Sequence, residues 1–511
     1  MSHWIIAPVV LPAIAAAVIL LLARHDIVVH RLVSLASTAV VAIVAFALVY
    51  GAAAVGHEAY RLGDWPPPFG IVLVLDRLSA LMVATTAVVA LASLLYAVQG
   101  WDERGANFHA LFQFQLMGLN GAFLTGDLFN LFVFFEVLLI ASYGLLLHGG
   151  GAARVRAGMH YVVINLTGSS LFLIAVALLY GVTGTLNMAD LAVKVPQVSD
   201  ADAGLVRGAA LLLLAVFSVK AALLPLHFWL PNTYGSAAAP VAALFAIMTK
   251  VGAYSILRVF TLIFGEGGGV AALVAAPWLL PVALATHVVG VVGALAARDL
   301  RGMAAFLVLA SMGTLLAGVG LFNQRGISAA LYYVVHSTIA TAALFLLAEM
   351  VARERGEARD RLLPAPDLLQ PRAIGLLFFA AGIALAGLPP LSGFIGKVLI
   401  LDGARATPAV AWVWAVLLAM SLVTLIAVSR AGSVLFWKTG AGTAAGAVRT
   451  PAGGLAVAAG LLLVTAALAL LAGPVTAYTD TAALQLVDRV DYIRAVLGPD
   501  ALAALVPAPP R

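Results

Sequence analysis

Five lysines occur among the 28 basic residues of this chain, at Lys194, Lys220, Lys250, Lys397 and Lys438, and three of them lie inside long apolar runs. A lysine at the centre of a membrane helix costs roughly 2.5–3.5 kcal/mol on insertion scales, so Lys220, Lys250 and Lys397 mark function by default. One deep carboxylate accompanies them. Glu136, in Asn130-Leu-Phe-Val-Phe-Phe-Glu136-Val-Leu-Leu-Ile-Ala, lies nine residues after Asp127, which is about 14 Å along a helix. Lys250, in Ala246-Ile-Met-Thr-Lys250-Val-Gly, stands eleven residues into its own run, about 16 Å by the same rise, so the two share a depth near the midplane. Buried lysine can release its proton, whereas arginine does not in proteins. A Glu136–Lys220 pair therefore has two states, one charged and bonded, the other separated with the proton passed on. Such groups bridged by water make an intramembrane proton relay, which His336 and His227 extend. The competing reading is that these ions only lock helices together. Three lysines against one deep carboxylate cannot all be neutralised that way.

Other residues carry weaker signals. Asp76-Arg77 reads first as a self-paired structural site and second as a relay candidate. His287 reads first as a hydrogen-bonded core histidine and second as a relay member, and Arg258, eight residues beyond Lys250, as a side chain that snorkels to the membrane edge. His148-Gly149-Gly150-Gly151 reads as a loop, because no Gly-x-Ser-x-Gly nucleophile elbow accompanies it. Asn165-Leu-Thr167 matches a glycosylation sequon but falls inside an apolar run. Neither His-Glu-x-x-His nor a Walker loop occurs, which removes support for a zinc hydrolase or an ATPase. With no cysteine the chain offers no disulfide, thiol nucleophile or thiolate-held iron–sulfur cluster, and no cofactor or metal is expected. A dense carboxylate cluster suited to a hard cation is also missing.

The elements that position these residues follow from composition. Of 511 residues, 63% are hydrophobic and 10% charged, far from a soluble domain. The net charge of +5 comes from arginines scattered over short loops, not from a patch that would bind nucleic acid. Apolar runs of about 18 residues or more recur along the chain, each able to cross roughly 30 Å of hydrocarbon. Fourteen spans are expected: Trp4 to Ala23, Arg31 to Gly51, Ile71 to Val98, His109 to Thr125, Asp127 to Leu147, Ala157 to Val182, Arg207 to Leu224, Ala239 to Phe264, Pro277 to Ala297, Gly302 to Phe322, Ile327 to Val351, Arg372 to Leu401, Ala409 to Phe436 and Gly453 to Leu471. The first lacks the basic n-region of a cleaved signal and reads as a retained helix. Loops after odd-numbered spans hold fourteen Lys and Arg, among them Arg24, Arg31, Arg104, Arg353 and Lys438, whereas the opposite loops before the tail hold Arg61, Lys194, Arg207, Arg325 and Arg405. The positive-inside rule then turns both termini outward. The forty residues after Leu471 are too few for a further soluble domain.

Two spans are interrupted alike. Lys220-Ala-Ala-Leu-Leu-Pro225-Leu-His227-Phe-Trp-Leu-Pro231 breaks the seventh, and Gly387-Leu-Pro389-Pro390-Leu-Ser-Gly393 breaks the twelfth. Proline removes a donor and clashes with the preceding turn, and broken backbone survives at membrane depth only against protein or a water-filled cavity. Paired breaks point to inverted repeats. The expected architecture is an all-α polytopic membrane protein with N-terminal spans in 1–108, a first five-helix repeat (spans four to eight) in 109–264, a second, inverted one (spans nine to thirteen) in 277–436, and the last span with a short tail in 437–511.

The strings FNLFVFFEVLLIASYGLL, VKAALLPLHFWLPNTYGSAAAPVAALFAIMTKVGAYSILR and GLPPLSGFIGKVLIL resemble the proton-translocating antiporter-like subunits, the superfamily of Mrp-type cation/proton antiporters and the large membrane subunits of respiratory complex I. The similarity covers at least spans three to thirteen. The stretch WLPNTYGSAAAPVAALFAIMTK resembles the D-type subunit of Mrp antiporters, and Lys397 stands where the complex I subunit most often confused with it carries glutamate. The resemblance implies fourteen helices, a Glu136–Lys220 pair, a central Lys250 and a terminal Lys397 on a hydrated axis. In the eleventh span, His336-Ser-Thr-Ile-Ala-Thr341, some relatives place a lysine near Thr341, which leaves His336 as the relay candidate there. The expected function is thus a proton-conducting subunit of a multisubunit Na⁺ or K⁺/H⁺ antiporter in the cytoplasmic membrane, working with other subunits of that complex and not itself an enzyme. A subunit of a redox-driven pump, complex I or a membrane-bound hydrogenase, is the second reading, and a scaffold with helix-pairing lysines the third.

Overall fold

The computed structural model describes residues 2–21 and 26–505. Arg24, the end of the first expected span at Ala23 and the last six residues of the tail lie outside the described residues. Within them the chain forms α1 (Ala7–Leu21), α2 (Ile27–Val55), α3 (Arg77–Ala97), α4 (Phe108–Leu124), α5 (Leu128–Leu147), α6 (Ala152–Thr183), a short α7 (Met188–Lys194), α8 (Ala203–Lys220), α9 (Trp229–Ser236) and α10 (Ala239–Leu262). There follow α11 (Ala276–Ala296), α12 (Leu300–Val319), α13 (Gln324–Glu354), α14 (Pro371–Ala386), α15 (Ser392–Ala404), α16 (Val410–Phe436), α17 (Ala452–Leu470), α18 (Ala472–Val487) and α19 (Val490–Leu497). Two small two-stranded sheets and several short 3-10 turns also occur among the described residues: β1 (Glu58–Arg61) antiparallel to β2 (Val72–Leu75), and β3 (Pro366–Asp367) parallel to β4 (Gly440–Thr443).

Eleven described helices are long and apolar enough to cross a membrane. The first and fourth expected spans correspond to the shorter α1 and α4, and the twelfth to α14 and α15 on either side of a break. The third expected span begins differently. Its first residues are the buried strand β2, and the helix starts only after Asp76, whose carboxylate accepts from the Ser79 backbone N–H while the Ser79 hydroxyl binds back in a capping box. Asp127 and Asp299 cap α5 and α12 through side-chain acceptors, which satisfies donors that apolar surroundings would leave unpaired.

Apolar residues all round a helix mean burial on all sides. The interior is built on α10 and α13, buried over nearly their whole length, whereas α2 and α16 expose Ile43, Phe46, Tyr50, Trp412, Leu418 and Leu422. The tail packs onto the bundle as α18 and α19. Thr479 bonds Ser328 of α13 at 3.0 Å, and the Tyr478 hydroxyl donates to the Arg77 carbonyl at 3.0 Å.

Candidate functional site

The break in the seventh expected span begins earlier than its prolines. Lys220 is the last residue of α8, and the chain turns through Ala222, at φ 54°, before α9 resumes. The negative end of the helix dipole favours a cation there. Gly252 allows α10 to press against this turn, because a Cβ on it would lie 2.5 Å from the Ala221 nitrogen and 2.8 Å from the Lys220 carbonyl carbon. The turn is also tied to α11, since the Leu224 backbone N–H donates to the Thr286 hydroxyl at 2.9 Å.

Lys220 is buried, and its Nζ donates to the Asn165 carbonyl at 3.2 Å, the Asn165 side-chain oxygen at 3.4 Å and the Ser169 hydroxyl at 3.3 Å. The Ser169 hydroxyl in turn donates to Glu136. A direct Glu136–Lys220 ion pair is therefore not what the structure holds. Ser169 on α6 stands between them, because α6 packs across both α5 and α8. Removing a bridging group leaves buried partners unsatisfied at a cost of about 1–3 kcal/mol. Ser169→Ala should accordingly slow transport about tenfold per assembled complex. Proton flux in reconstituted vesicles, normalised to the amount of complex, checks this.

Lys250 is fully buried on α10 and donates to the Ser311 hydroxyl of α12 at 3.2 Å. Three residues further along α12, Thr314 bonds His287 Nδ1 at 3.0 Å, and the same ring nitrogen lies 3.0 Å from the Ala310 carbonyl. His287 Nε2 has no partner among the described residues. On α13 the rings of Tyr333 and His336 lie 5.6 Å apart, and His336 Nδ1 bonds the Ser392 hydroxyl at 2.8 Å.

The second break is closed by glycine and held by lysine. Gly387, at φ 77°, ends α14, as glycine commonly does. Lys397 folds back from α15 to donate to the Ala386 carbonyl at 2.8 Å, the last of α14, and to the Ser421 hydroxyl of α16 at 2.9 Å. Lys220 thus sits at a helix C-terminus along the chain, and Lys397 reaches one through space. Beside Lys397 a cavity of ≈ 300 Å³ lies between the break and α16, walled by Leu388, Leu401, Leu417 and Leu422.

Two further expectations need correction. Arg258 does not snorkel: it is buried, and its Nη1 lies 2.6 Å from the Asp76 carboxylate. Asp76 is consequently not self-paired with Arg77, whose Nη2 donates instead to the Ala53 carbonyl. The Thr341 hydroxyl donates within its own helix, to the Ser337 and Thr338 carbonyls. His227 lies in the turn after α8, half-buried, and its Nδ1 has no partner among the described residues. Sequence reasoning misses Asn165, Ser169, Ser311, Thr314, Ser392 and Ser421 as site residues. The signal for two pairs is in the sequence: Asn165/Ser169 and Ser311/Thr314 are spaced four and three residues apart within apolar helices, so each pair lies on one face.

Interrupted helices with lysines, histidines and hydroxyls buried among them define a polytopic helical membrane protein with polar groups in its interior. Comparison places it within a known group. Residues 125–426 match the family model described as NADH:quinone oxidoreductase/Mrp antiporter, TM. The chain is 42% identical over 530 residues to a probable K(+)/H(+) antiporter subunit, of the D type, from Rhizobium meliloti (strain 1021), covering 97% of this chain and 98% of the relative. It is 37% identical over 500 residues to the D-type Na(+)/H(+) antiporter subunit of Bacillus subtilis (strain 168), covering 97% and 100%. A chain in the solved structure of the Mrp complex from Dietzia sp. DQ12-45-1b superposes with a TM-score of 0.87 at 30% identity, over 98% of this chain and 100% of that one. The chain belongs to the NADH:quinone oxidoreductase/Mrp antiporter transmembrane family.

Proposed function

We propose that this chain is the proton-conducting subunit of a multisubunit monovalent cation/H⁺ antiporter in the cytoplasmic membrane, with both termini outward. The observation that carries the reading is the placement of Lys220, Lys250 and Lys397 in the bundle interior, each bonded to a hydroxyl rather than to a carboxylate. An ammonium held by a hydroxyl has not lost its mobile proton to a permanent ion pair, so it can take up and release one as water connects it to the next group. Glu136 and Lys220, bridged by Ser169, form the gating pair, Lys250 the central carrier, His336 with Lys397 the far end, and the two breaks belong to inverted repeats spanning 109–264 and 277–436. Relatives named for antiport of Na⁺ and of K⁺ both support exchange of an alkali cation for a proton.

Purification from the native membrane tests the assembly. Co-purification with further antiporter subunits, and alkali-cation-dependent collapse of a pH gradient by the reconstituted complex, is the expected result. Co-purification with nicotinamide- or nickel-binding proteins would overturn it in favour of a redox-driven pump.

A further inference from the structure

The proposed row runs from Glu136 to Lys397, but one face of α10 leads elsewhere. Lys250, Tyr254 and Arg258 follow one another at intervals of four residues, so they line a single stripe about 12 Å long. Beside Lys250 lies a cavity of ≈ 20 Å³ walled by Leu78, Met82, Tyr254, Leu257 and Leu315, about the room one water needs. Tyr254 both lines this cavity and touches what lies beyond it. Its hydroxyl donates to the Phe123 carbonyl at 2.7 Å and accepts from Arg258 Nε at 3.4 Å.

Beyond Tyr254 is the Asp76–Arg258 pair, next to the β1–β2 hairpin. Over it lies α19 from the tail: the Tyr492 ring stands 5.2 Å from the Arg258 guanidinium and 5.9 Å from the His57 ring. Two polar atoms here have no partner among the described residues, the hydroxyl of Tyr492, itself 1% exposed, and His57 Nε2. Buried polar atoms without protein partners call for water. The stripe therefore joins a cavity of about the size of one water, reached by Lys250 and Tyr254, to a second site with unmet hydrogen-bonding capacity at the hairpin end of the bundle.

We infer that this stripe is a side branch of the proton path, through which Lys250 exchanges protons with the hairpin end of the bundle by way of Tyr254 and Asp76. The inference rests on the relay reading of Lys250. A proton leaving the Lys250 ammonium through the cavity water leaves a neutral amine behind. On reaching Asp76 it converts the carboxylate to a neutral acid, which frees Arg258 from its partner, and the next release restores the pair. Net charge is conserved in each transfer. Tyr492 and His57 cover the mouth.

The test uses the complete antiporter complex reconstituted in vesicles, with proton flux measured per assembled complex and thermal stability measured in parallel. Tyr254→Phe keeps the ring and removes only the hydroxyl, and should lower flux at least about tenfold at wild-type assembly. Asp76 separates a transfer role from a capping one, because asparagine caps a helix as well as aspartate does, whereas glutamate is not among the preferred caps; the thermal stability of each variant separates transfer from the ion pair with Arg258. A transfer role predicts that Asp76→Glu retains more flux than Asp76→Asn. If Asp76→Asn and Tyr254→Phe both keep wild-type flux while Lys250→Ala abolishes it, the branch is overturned and the relay stands. If Lys250→Ala itself keeps wild-type flux, the relay reading fails and takes the branch with it. Loss of thermal stability in Asp76→Asn with normal flux in the complexes that remain also overturns the branch, since that is the behaviour of a helix-pairing ion pair.

Discussion

Glu136→Ala is expected to reduce antiport about 100-fold or more while the complex still assembles, and Lys220→Ala to do the same. The size of the effect follows from what positioned acid–base groups contribute to proton transfer, typically 10²–10⁴. Assembly survives for a structural reason. Lys220 keeps the Asn165 carbonyl, the Asn165 side chain and Ser169 when Glu136 is gone, so its ammonium is not stranded without hydrogen bonds. Glu136 keeps the Ser169 hydroxyl as a donor when Lys220 is removed. The measurement is cation-driven proton flux in vesicles containing the complex, with subunit recovery on an affinity column as the control. Full activity in either variant, at normal assembly, would remove the pair from the mechanism. Ser169→Ala should lie between these variants and the wild type, because it removes the bridge and leaves both end groups.

The second large effect is expected at the break between α14 and α15. A Cβ on Gly393 would lie 2.0 Å from the Ala384 carbonyl oxygen and 2.8 Å from His336 Nε2. The first of these is backbone, which cannot rotate away, so Gly393→Ala must push α15 from α14 and disturb His336 and Lys397 together. Overpacking of this kind typically costs about 1–3 kcal/mol. The expected outcome is a lower melting temperature for the purified complex and loss of most of its transport. Gly460→Ala provides the control. It lies in α17 with open space around its Cβ position, where alanine gains roughly 0.5–1 kcal/mol of helix stability. Equal behaviour of the two variants would show that close approach at the break is not needed.

Much of the fold follows from local rules. Spans of apolar residues locate the membrane helices, and caps such as Asp127 and Asp299 sit where side-chain acceptors begin a helix. The breaks at Pro225 and at Pro389-Pro390 are legible because proline cannot continue a helix. The third span reads too long because β2 is as apolar as the helix it precedes, and a short buried strand and a buried helix segment are not told apart by hydrophobicity.

The inventory of the site is written in the chain itself: three lysines, a deep glutamate and several histidines confined to a medium that tolerates few of them, with arginine left mostly to the loops. Residue type and depth suffice for that, because the cost of taking a charge out of water is set by the group and its depth before any partner is considered. Who faces whom emerges only when the helices pack. Packing places Ser169 between Glu136 and Lys220, turns Arg258 inward to Asp76, and uses Ser311 and Ser421 to hold two lysines, because helical spacing gives the face a residue occupies but not the helix packed against that face. Asp76 and Arg258 lie 182 residues apart in the chain, and only the crossing of α3 with α10 brings their charges within 2.6 Å.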